Sequence, residues 1–542
     1  MRDALAGVAR DLGAPGAAFV LERPRDPSHG DYATNLALQL SKQLRRNPRD
    51  IAAELVERLA LPSDVVEKVE IAGPGFVNFF LADTAFSAVV WTILEARDSY
   101  GCSGVGTGRR VNVEFVSANP TGPLHVGHGR GAALGDAIAS LLQATGYEVT
   151  REFYVNDSGV QIDRLARSVW ARIQQRVGRA AEIPEGGYHG AYLVELADGL
   201  LEEEGRAFAD LPEAEAIARC RRAAIEDQRA QQDRDLEAFG VYFDVLSEES
   251  SLYESDMIEE TLVALDRCGL TYERDGARWL ATSRFGDEKD RVIRKQDGTY
   301  TYLLPDLAYH RYKARRGFDR AIDVWGADHH GYVARMRAGL VGLGLPEDFF
   351  TAVIVQLVRV MRGGEEVRFS KRSGDFVTLR DLFEETGVDA ARYFFLSRRG
   401  DSQFVFDVDL ATKQSEENPV YYVQYAHTRM AGILRNAEVD PDTFKRGSVD
   451  LSVLREDAEQ ELLKSLGAYP GVVGKAAELL EPHRIVAYLD DLARLVNGWY
   501  HHHRVLGEPE PIERARLALA RAAQQLLRNA LTILGISAPE RM

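Results

Sequence analysis

The sequence predicts an α/β protein built around a parallel sheet, with an α+β module before the sheet and an all-α helical bundle after it. The first observation is the alternation of Val111, Val113 and Phe115, typical of a buried strand, which leads through a short loop into apolar residues at helical spacing that stop at Gly146. The second is a renewed alternation at residues 149–155, which completes a strand–helix–strand unit. The two strands of such a unit are parallel in one sheet.

The chain divides into three modules by composition and periodicity. Residues 1–107 combine amphipathic helices with a strand after a Gly-Pro-Gly turn, which predicts a compact α+β domain. Residues 108–410 contain the parallel sheet, and the charged, Ala- and Glu-rich stretch at about 161–267 predicts a helical insertion within it. Residues 411–542 carry two long apolar stripes at helical spacing, which favour a helical bundle.

Composition and charge exclude several classes of protein. Of the 542 residues, 45% are hydrophobic and 27% charged, as in ordinary globular proteins, and no apolar run approaches the roughly 20 residues needed to cross a bilayer. Three scattered cysteines and the lack of a signal-peptide core predict a cytoplasmic protein with neither disulfides nor a structural metal. The net charge of −17 argues against broad nucleic-acid binding, but it does not exclude one RNA partner at a locally basic surface.

The junction between the first predicted strand and its helix carries the tetrad His125-Val126-Gly127-His128, followed by Gly129. Free N–H groups and the helix dipole at a helix N-terminus attract anions, and residues three apart lie on one side of the first turn. Both imidazoles are therefore placed to face one phosphate, and Gly127 leaves room for a flat base or a backbone. Two histidines at this spacing are also compatible with a metal site or with surface positions.

The longer segment VNVEFVSANPTGPLHVGHGR, residues 111–130, resembles the nucleotide-binding signature of class I aminoacyl-tRNA synthetases, whose HIGH tetrapeptide is HVGH here. Within that class it looks most like the arginyl-tRNA synthetase family. The resemblance implies a Rossmann-type catalytic domain, ATP with Mg²⁺ as the substrate complex, and tRNA(Arg) and L-arginine as partners. It assigns His125 and His128 to catalysis and Gly127 and Gly129 to ATP binding.

A second stretch, VRFSKRSG at residues 367–374, resembles the mobile KMSKS loop of the same class. Arg368 and Phe369 stand where that pattern has lysine and methionine, whereas Ser370 and Lys371 match it. The resemblance implies that Ser370 and Lys371 act with the two histidines on the triphosphate. Taken alone, the basic residues of this stretch are typical of a solvated surface.

A third stretch, WGADHHGY at residues 325–332, follows the apolar run AIDVW and resembles another nucleotide-binding segment of the family. It implies that Gly326 and Asp328 contact ATP. His329 and His330 stand where the family often has glutamine beside that aspartate. We assign His329 to ATP and His330 to arginine, with a surface or core position as the alternative for each histidine.

Recognition of arginine needs carboxylates, because the guanidinium group offers five donors in a fixed fork that fits a carboxylate at bidentate geometry. The run TYTYLLPDLAYHRYK supplies Tyr302 and Asp306, four residues apart and so on one face of a helix. The resemblance assigns both to the arginine side chain and adds Glu114, Ser117 and Asn119 to the pocket. Which of them holds the guanidinium and which the α-amino group stays open, and Asp306 is also compatible with a helix N-cap.

Both ends of the chain resemble the tRNA-binding parts of the family. The run HGDYATNLAL resembles its N-terminal domain, and ENPVYYVQYAHTR resembles its anticodon-binding domain. Unpaired anticodon bases stack on aromatic side chains, for which core packing is the alternative role. The candidates for tRNA contact are Asn35, Tyr421, Tyr425, Trp499 and Tyr500.

The resemblance therefore implies an ATP-dependent arginine–tRNA ligase, monomeric and without a membrane partner, whose activation step requires tRNA. Catalysis would rest on positioning and electrostatic stabilisation, because the amino-acid carboxylate is already a nucleophile and negative charge builds on the departing pyrophosphate. Two alternatives stay open. One is a ligase or nucleotidyltransferase for another substrate, and the other is a catalytically silent RNA-binding protein.

Overall fold

The computed structural model describes residues 1–22, 24, 26–63, 65–367, 377–440 and 443–542. The predicted site residues Ser370 and Lys371, with Arg368 and Phe369, lie outside the described residues. Within the described ranges, no helix has both the length and the apolar character needed to cross a bilayer.

The N-terminal module packs short helices against an antiparallel sheet. Its helices are α1 Arg2–Asp11, α2 Leu36–Leu44 and α3 Pro48–Arg58. Its strands, β1 Leu21–Glu22, β2 Tyr32–Thr34, β3 Val66–Ala72 and β4 Phe76–Leu81, run in the order β1-β2-β4-β3. Leu36 and Leu40 are fully buried in one cluster with Phe79, which accounts for their helical spacing. Asn35 accepts a hydrogen bond from the N–H of Val20 at 2.9 Å, and its contact with tRNA stays a prediction.

The central module contains the parallel sheet. Its strands are β5 Arg110–Glu114, β6 Glu148–Val155, β7 Val245–Glu248, β8 Thr271–Arg274, β9 Ala277–Leu280, β10 Arg291–Arg294, β11 Arg320–Gly326, β12 Phe350–Val355, β13 Val358–Arg362, β14 Glu365–Glu366 and β15 Phe404–Asp407. Five of them form an all-parallel sheet in the order β12-β11-β5-β6-β7, which confirms the predicted fold class. The strands β8 to β10 and β13 to β15 form two smaller sheets.

Helices connect the strands of the central module, and the longest helical stretch lies between β6 and β7. They are α4 Asp83–Ala96, α5 Val126–Ala144, α6 Val160–Arg176, α7 Ala191–Glu204, α8 Glu213–Ala238, α9 Glu249–Glu254, α10 Met257–Arg267, α11 Leu303–Arg315, α12 Val333–Gly342, α13 Leu379–Thr386, α14 Val388–Leu396 and α15 Val408–Ala411. The helices α6 to α8 lie between β6 and β7 in the chain. The stretch 161–267 predicted as a helical insertion therefore includes one strand of the central sheet, β7, whose residues VLSE carry no apolar alternation. The predicted module boundaries stay predictions.

The C-terminal module is a helical bundle, as predicted. Its helices are α16 Pro419–Asn436, α17 Asp457–Leu479, α18 His483–His502 and α19 Glu510–Ile533. Both predicted apolar stripes lie in its core, where Leu489 and Leu492 of α18 and Leu526 and Leu527 of α19 are fully buried.

One fully buried arginine, Arg392 on α14, joins this bundle to the central module. Its Nη2 donates to Oδ2 of Asp136 on α5 at 2.5 Å, and its Nε donates to the carbonyl of Leu534, just after α19, at 2.9 Å. Its Nη1 donates to the carbonyl of Phe239, just after α8, at 3.2 Å. A single guanidinium thus contacts α5 of the central module, the end of α8 in the insertion and the end of α19 in the bundle.

Candidate active site

The tetrad lies at the start of α5, directly after β5, where the sequence predicts it. His125 is the N-cap of α5, and its Nδ1 accepts hydrogen bonds from the N–H groups of Gly127 at 3.1 Å and His128 at 3.3 Å. In return, Nδ1 of His128 accepts from the N–H of His125 at 3.3 Å, and the two rings stack with centroids 3.6 Å apart. The expectation of free N–H groups is therefore wrong for these three residues, because the imidazoles bind them.

These hydrogen bonds decide which nitrogen of each imidazole carries the proton. A ring nitrogen that accepts an N–H bond has no proton, so the neutral ring carries its proton on Nε2. Burial lowers the pKa of His125, and burial together with the neighbouring His125 lowers the pKa of His128 to about 3. At neutral pH both rings are therefore uncharged Nε2–H donors, which suits them to phosphate oxygens.

The two glycines of the motif make room for protein side chains. A Cβ on Gly127 would lie 2.9 Å from Cε1 of His125, so this glycine accommodates the capping imidazole. A Cβ on Gly129 would lie 2.5 Å from Cδ1 of Leu379 and 3.2 Å from Cε2 of Phe395. The close approach of α5 to α13 and α14 accounts for Gly129, and contact of either glycine with ATP stays a prediction.

Backbone hydrogen bonds hold the chain next to residues 368–376, which themselves lie outside the described ranges. On the C-terminal side, the N–H of Val126 donates to the carbonyl of Val377 at 3.2 Å, and the N–H of Leu379 donates to the carbonyl of Leu124 at 2.8 Å. The second predicted signature is thus followed by a segment that pairs with the tetrad itself.

The third predicted stretch begins where β11 ends beside β5. Asp328 and His329 are exposed there, with 81% and 55% of their side chains accessible, and their carboxylate and imidazole lie 3.5 Å apart. His330 lines a cavity with Gln356 and His483, and the residues around that cavity include neither Glu114 nor Asp306. This placement does not support the predicted contact of His330 with arginine.

Two carboxylates, Glu249 and Asp306, influence each other's charge and that of Tyr154 beyond the carboxyl ends of β6 and β7, and we call this group the acidic pocket. Glu249, at the start of α9, is buried, and its carboxylate lies 2.8 Å from the side-chain amide group of Asn156. Asp306, in the first turn of α11, is half-buried and accepts from the hydroxyl of Tyr332. Burial raises the pKa of both carboxyls, and the charge of Asp306 adds to the rise for Glu249. In the described part of the chain neither carboxylate has an ion-pair partner, so the pocket favours a cationic ligand.

Two tyrosines border this pocket differently. Tyr154, at the end of β6, has its pKa raised by burial and by the carboxylates of Glu249, Asp306 and Glu114, which places its phenol among them. Tyr302 precedes α11 and is 79% exposed. Its predicted contact with the arginine side chain stays a prediction.

The predicted pocket residues of the β5 loop are already engaged with protein atoms. Oε2 of the buried Glu114 accepts from Nζ of Lys313 at 2.6 Å, and Oε1 accepts from the hydroxyl of Ser117 at 3.1 Å. The amide of Asn119 donates to Oε1 of Gln161 on α6 at 2.6 Å. Glu114 and Ser117 therefore form a bonded unit behind the pocket, and Asn119 faces the insertion.

Four residues of the site are absent from the sequence prediction: Tyr154, Glu249, Lys313 and Tyr332. Tyr154 and Glu249 lie at carboxyl ends of parallel strands, the edge at which α/β sheets bind ligands. This rule would have found Tyr154, whereas Glu249 depends on recognising β7. Lys313 and Tyr332 end two stretches that the sequence singles out, but their roles do not follow from these stretches because their partners Glu114 and Asp306 are distant in sequence.

The bundle brings three of the four aromatic candidates together. The rings of Tyr421 and Tyr425 stack with centroids 5.9 Å apart, and the guanidinium of Arg429 lies 4.4 Å from the ring of Tyr425 and 5.2 Å from that of Tyr500. Tyr425, Arg429 and Tyr500 line an open cavity of about 700 Å³. Trp499 is fully buried, so core packing accounts for it and its indole offers no face to a ligand.

Three family models match the chain in consecutive order. The one described as "Arginyl tRNA synthetase N terminal domain" matches residues 1–81, and "tRNA synthetases class I (R), catalytic domain" matches residues 90–416. The one described as "DALR anticodon binding domain" matches residues 423–542.

Similar proteins match over nearly the whole length. The arginine–tRNA ligase of Geobacillus thermodenitrificans is 50% identical over 526 residues, which cover 96% of this chain and 94% of that protein. The arginine–tRNA ligase of Desulforudis audaxviator is 48% identical, with 100% of this chain and 97% of that protein covered. The solved structure of Thermus thermophilus arginyl-tRNA synthetase superimposes with a TM-score of 0.78 at 25% identity, covering 100% of this chain and 99% of that one. With its histidine-capped helix and its acidic pocket at one edge of a parallel sheet, the chain belongs to the arginyl-tRNA synthetase family.

Proposed function

We propose that this protein is an arginine–tRNA ligase. It converts L-arginine and ATP, as its Mg²⁺ complex, to arginyl-adenylate and pyrophosphate, and then transfers the arginyl group to the 3′ end of tRNA(Arg) with release of AMP. In the first step a carboxylate oxygen of arginine attacks the α-phosphorus, and the bond to pyrophosphate breaks. In the second step a terminal ribose hydroxyl attacks the adenylate carbonyl, and AMP leaves.

The observation that carries this proposal is that the histidine pair and the acidic pocket lie at the same edge of the parallel sheet, the histidines after β5 and Glu249 after β7. Asp306 and Glu249 are two carboxylates without an ion-pair partner in the described part of the chain, and the guanidinium and α-ammonium groups of arginine are two cations. His125 and His128 offer uncharged donors to phosphate oxygens, so they stabilise developing charge without prior protonation.

We assign the remaining roles by position and family. Ser370 and Lys371 act on the triphosphate with the histidine pair. The ATP site further includes Gly127, Gly129, Gly326, Asp328 and His329. The arginine site comprises Asp306, Glu249, Tyr154 and Tyr302, with Glu114, Ser117 and Asn119 behind or beside it.

The test is incorporation of labelled arginine into tRNA. Purified protein should charge tRNA(Arg) with arginine, but not with glutamine, cysteine or lysine supplied in parallel, and should not charge periodate-oxidised tRNA. Activation of a different amino acid, or of none, would contradict the proposal. ATP–pyrophosphate exchange should also require tRNA, and equal exchange without tRNA would refute that requirement alone.

Lys371→Ala is expected to slow adenylate formation by about 10²–10³-fold, equivalent to about 3–4 kcal/mol of transition-state stabilisation. The ammonium would act on charge that develops on the triphosphate, so the affinity for arginine should change little. Single-turnover adenylate formation and equilibrium arginine binding measure the two effects, and Lys371→Arg is the charge-retaining control. An equal loss of rate and arginine affinity would contradict a transition-state role.

Tyr425→Ala is expected to weaken tRNA binding by about 5- to 150-fold, because stacking of one base on an aromatic ring contributes about 1–3 kcal/mol. Its ring is half-buried, stacks on Tyr421 and faces Arg429 in the open cavity. Filter binding of tRNA measures the effect. Tyr425→Phe keeps the ring and should bind nearly as wild type; a loss as large as that of alanine would exclude stacking.

We further propose that the protein acts in the cytoplasm as a monomer without a membrane partner. Its three cysteines, Cys102, Cys220 and Cys268, are free, in accord with a reducing compartment. Residues 1–107 and 411–542 would contact tRNA from the two ends of the chain, and residues 108–410 would carry the chemistry.

A further inference from the structure

Three carboxylates lie side by side across three neighbouring strands of the central sheet. Asp323 of β11 is in register with Glu114 of β5, and Glu114 is in register with Glu152 of β6. Their exposed fractions are 1%, 7% and 0%. A row of three buried acids is costly unless each is paired, because burial disfavours the charged form.

Among the described residues, the cationic partners all come from α11 and the residue that follows it, whereas Asn112, Ser117 and Ser247 add neutral hydrogen bonds. Nζ of Lys313 lies 2.6 Å from Oε2 of Glu114 and 3.1 Å from Oδ1 of Asp323, and it is fully buried. Nε2 of His310 lies 2.7 Å from the other oxygen of Asp323.

The third acid is paired at the far end of the same helix. Nη1 of Arg316 lies 2.8 Å from both carboxylate oxygens of Glu152, and the hydroxyl of Tyr309 donates to Oε1 at 2.8 Å. Every acid of the row is thus bound by one helical segment, at a spacing of three residues from His310 to Lys313 to Arg316. The helix cannot slide along the sheet without breaking several of these bonds at once.

Lys313 is the centre of this array. Burial alone would lower its pKa, but the carboxylates of Asp323, Glu114 and Glu152 outweigh burial and raise it. Buried ion pairs are poor stabilisers compared with apolar packing of similar volume, so stability alone is a weak reason for such an array. Its geometry points to a positional role instead.

The opposite end of α11 carries the pocket. Asp306 stands one turn before His310, and Nδ1 of His310 bonds the main-chain carbonyl of Asp306 at 2.8 Å. The position of the Asp306 carboxylate therefore depends on where the array holds the helix, and the orientation of Glu114 depends on Lys313 directly.

We infer that Lys313 is a positioning residue for arginine, which fixes Glu114 and, through Asp323 and His310, the helical turn that carries Asp306. This inference rests on the proposed arginine site. Lys313 touches no substrate in this scheme. It keeps the pocket carboxylates at the separation that a guanidinium requires, and ATP binding does not depend on it.

The test is arginine and ATP binding by the full-length Lys313→Met variant, measured by calorimetry. The arginine Kd should rise by about 10- to 100-fold, since a displacement of about 1 Å in a binding group has effects of this size, and the ATP Kd should not change. Arg516→Met is the matched control: it removes a buried cation that lies 2.7 Å from Glu459 in the bundle, and it should keep the wild-type arginine Kd.

A second variant separates positioning from a general loss of structure. If Lys313 acts through Glu114, the combined Lys313→Met and Glu114→Gln variant should lose less arginine affinity than the sum of the two single losses. Additive losses, a wild-type arginine Kd in folded Lys313→Met, or a parallel rise in the ATP Kd would each overturn the inference.

If Lys313→Met does not fold, Asp323→Asn tests the positioning role of Lys313 instead. It keeps the shape of the array but removes the charge that links Lys313 to His310, and it should also raise the arginine Kd while the ATP Kd stays unchanged. An unchanged arginine Kd in that variant would overturn the inference. Failure of the wild-type protein to bind arginine would instead contradict the proposed function.

Discussion

Asp306→Ala is expected to raise the KM for arginine by about 10²–10³-fold while ATP affinity stays close to wild type. The carboxylate is half-buried, accepts from the hydroxyl of Tyr332, and has no ion-pair partner among the described residues. Removal of one member of a desolvated, hydrogen-bonded charge pair costs about 2–5 kcal/mol. Initial rates of ATP–pyrophosphate exchange with tRNA present, at varied arginine and then at varied ATP, measure both constants.

Two matched variants separate charge from shape. Asp306→Asn preserves the shape and should lose nearly as much arginine affinity as the alanine variant. Tyr332→Phe removes only the hydroxyl donor and should raise the arginine KM less than the alanine variant does, by at most about 10- to 150-fold, the range of a hydrogen bond to a charged group. An unchanged arginine dependence in Asp306→Ala would remove Asp306 from the pocket.

The carboxylate of Asp306 lowers the stability of the folded protein when no ligand is bound. Burial raises the pKa of Asp306 above its ordinary value of 3.8, so the folded state holds the proton more tightly than the unfolded state. The resulting destabilisation is absent below pH 3.8, appears as the pH rises towards the folded-state pKa, and is fully present above it. At pH 7, Asp306→Asn should therefore melt at a higher temperature than wild type without ligand, and arginine should no longer stabilise it.

His128→Ala is expected to slow adenylate formation by about 10²–10³-fold, the usual effect of losing one donor to a developing oxyanion. Arginine binding should change little, because the ring lies at the start of α5 and the pocket carboxylates lie on other elements. Since the pKa of His128 is about 3, the rate should show no pH dependence from this ring near neutrality. Single-turnover rates between about pH 6 and pH 9 measure both effects.

Substitution of His128 by asparagine or by glutamine tests which ring nitrogen contributes to adenylate formation. An asparagine amide can replace Nδ1, which accepts the N–H of His125, whereas a glutamine amide reaches towards Nε2. We expect His128→Gln to retain more activity than His128→Asn, with similar melting temperatures for both. The reverse order would show that the cap, not the Nε2–H donor, accounts for the loss in the alanine variant.

Local patterning explains why the sequence predicts the location of the site. The strand β5 and the helix α5 follow from periodicities within 35 residues, Arg110 to Ala144, and their junction fixes where a ligand meets the sheet. The capping of α5 by His125 does not follow from that pattern. It depends on the rotamer of one ring and on the missing Cβ of Gly127.

Contacts between distant segments account for the other differences. The sequence places Glu114 against arginine, whereas Lys313, 199 residues further along the chain, binds one of its oxygens. Trp499 and Tyr500 are adjacent and both aromatic, but bundle packing leaves one fully buried and the other 40% exposed. No local pattern separates such cases, because burial is decided by the neighbouring helices.

The guanidinium of Arg392 makes the parallel sheet and the C-terminal bundle one thermodynamic unit. Separation of the two modules would break the hydrogen bond from Arg392 to the carbonyl of Leu534 and divide the hydrophobic core that the two modules share. Partial melting of the bundle alone is therefore strongly disfavoured. The two modules are expected to unfold in one cooperative transition, for which the calorimetric and van't Hoff enthalpies agree.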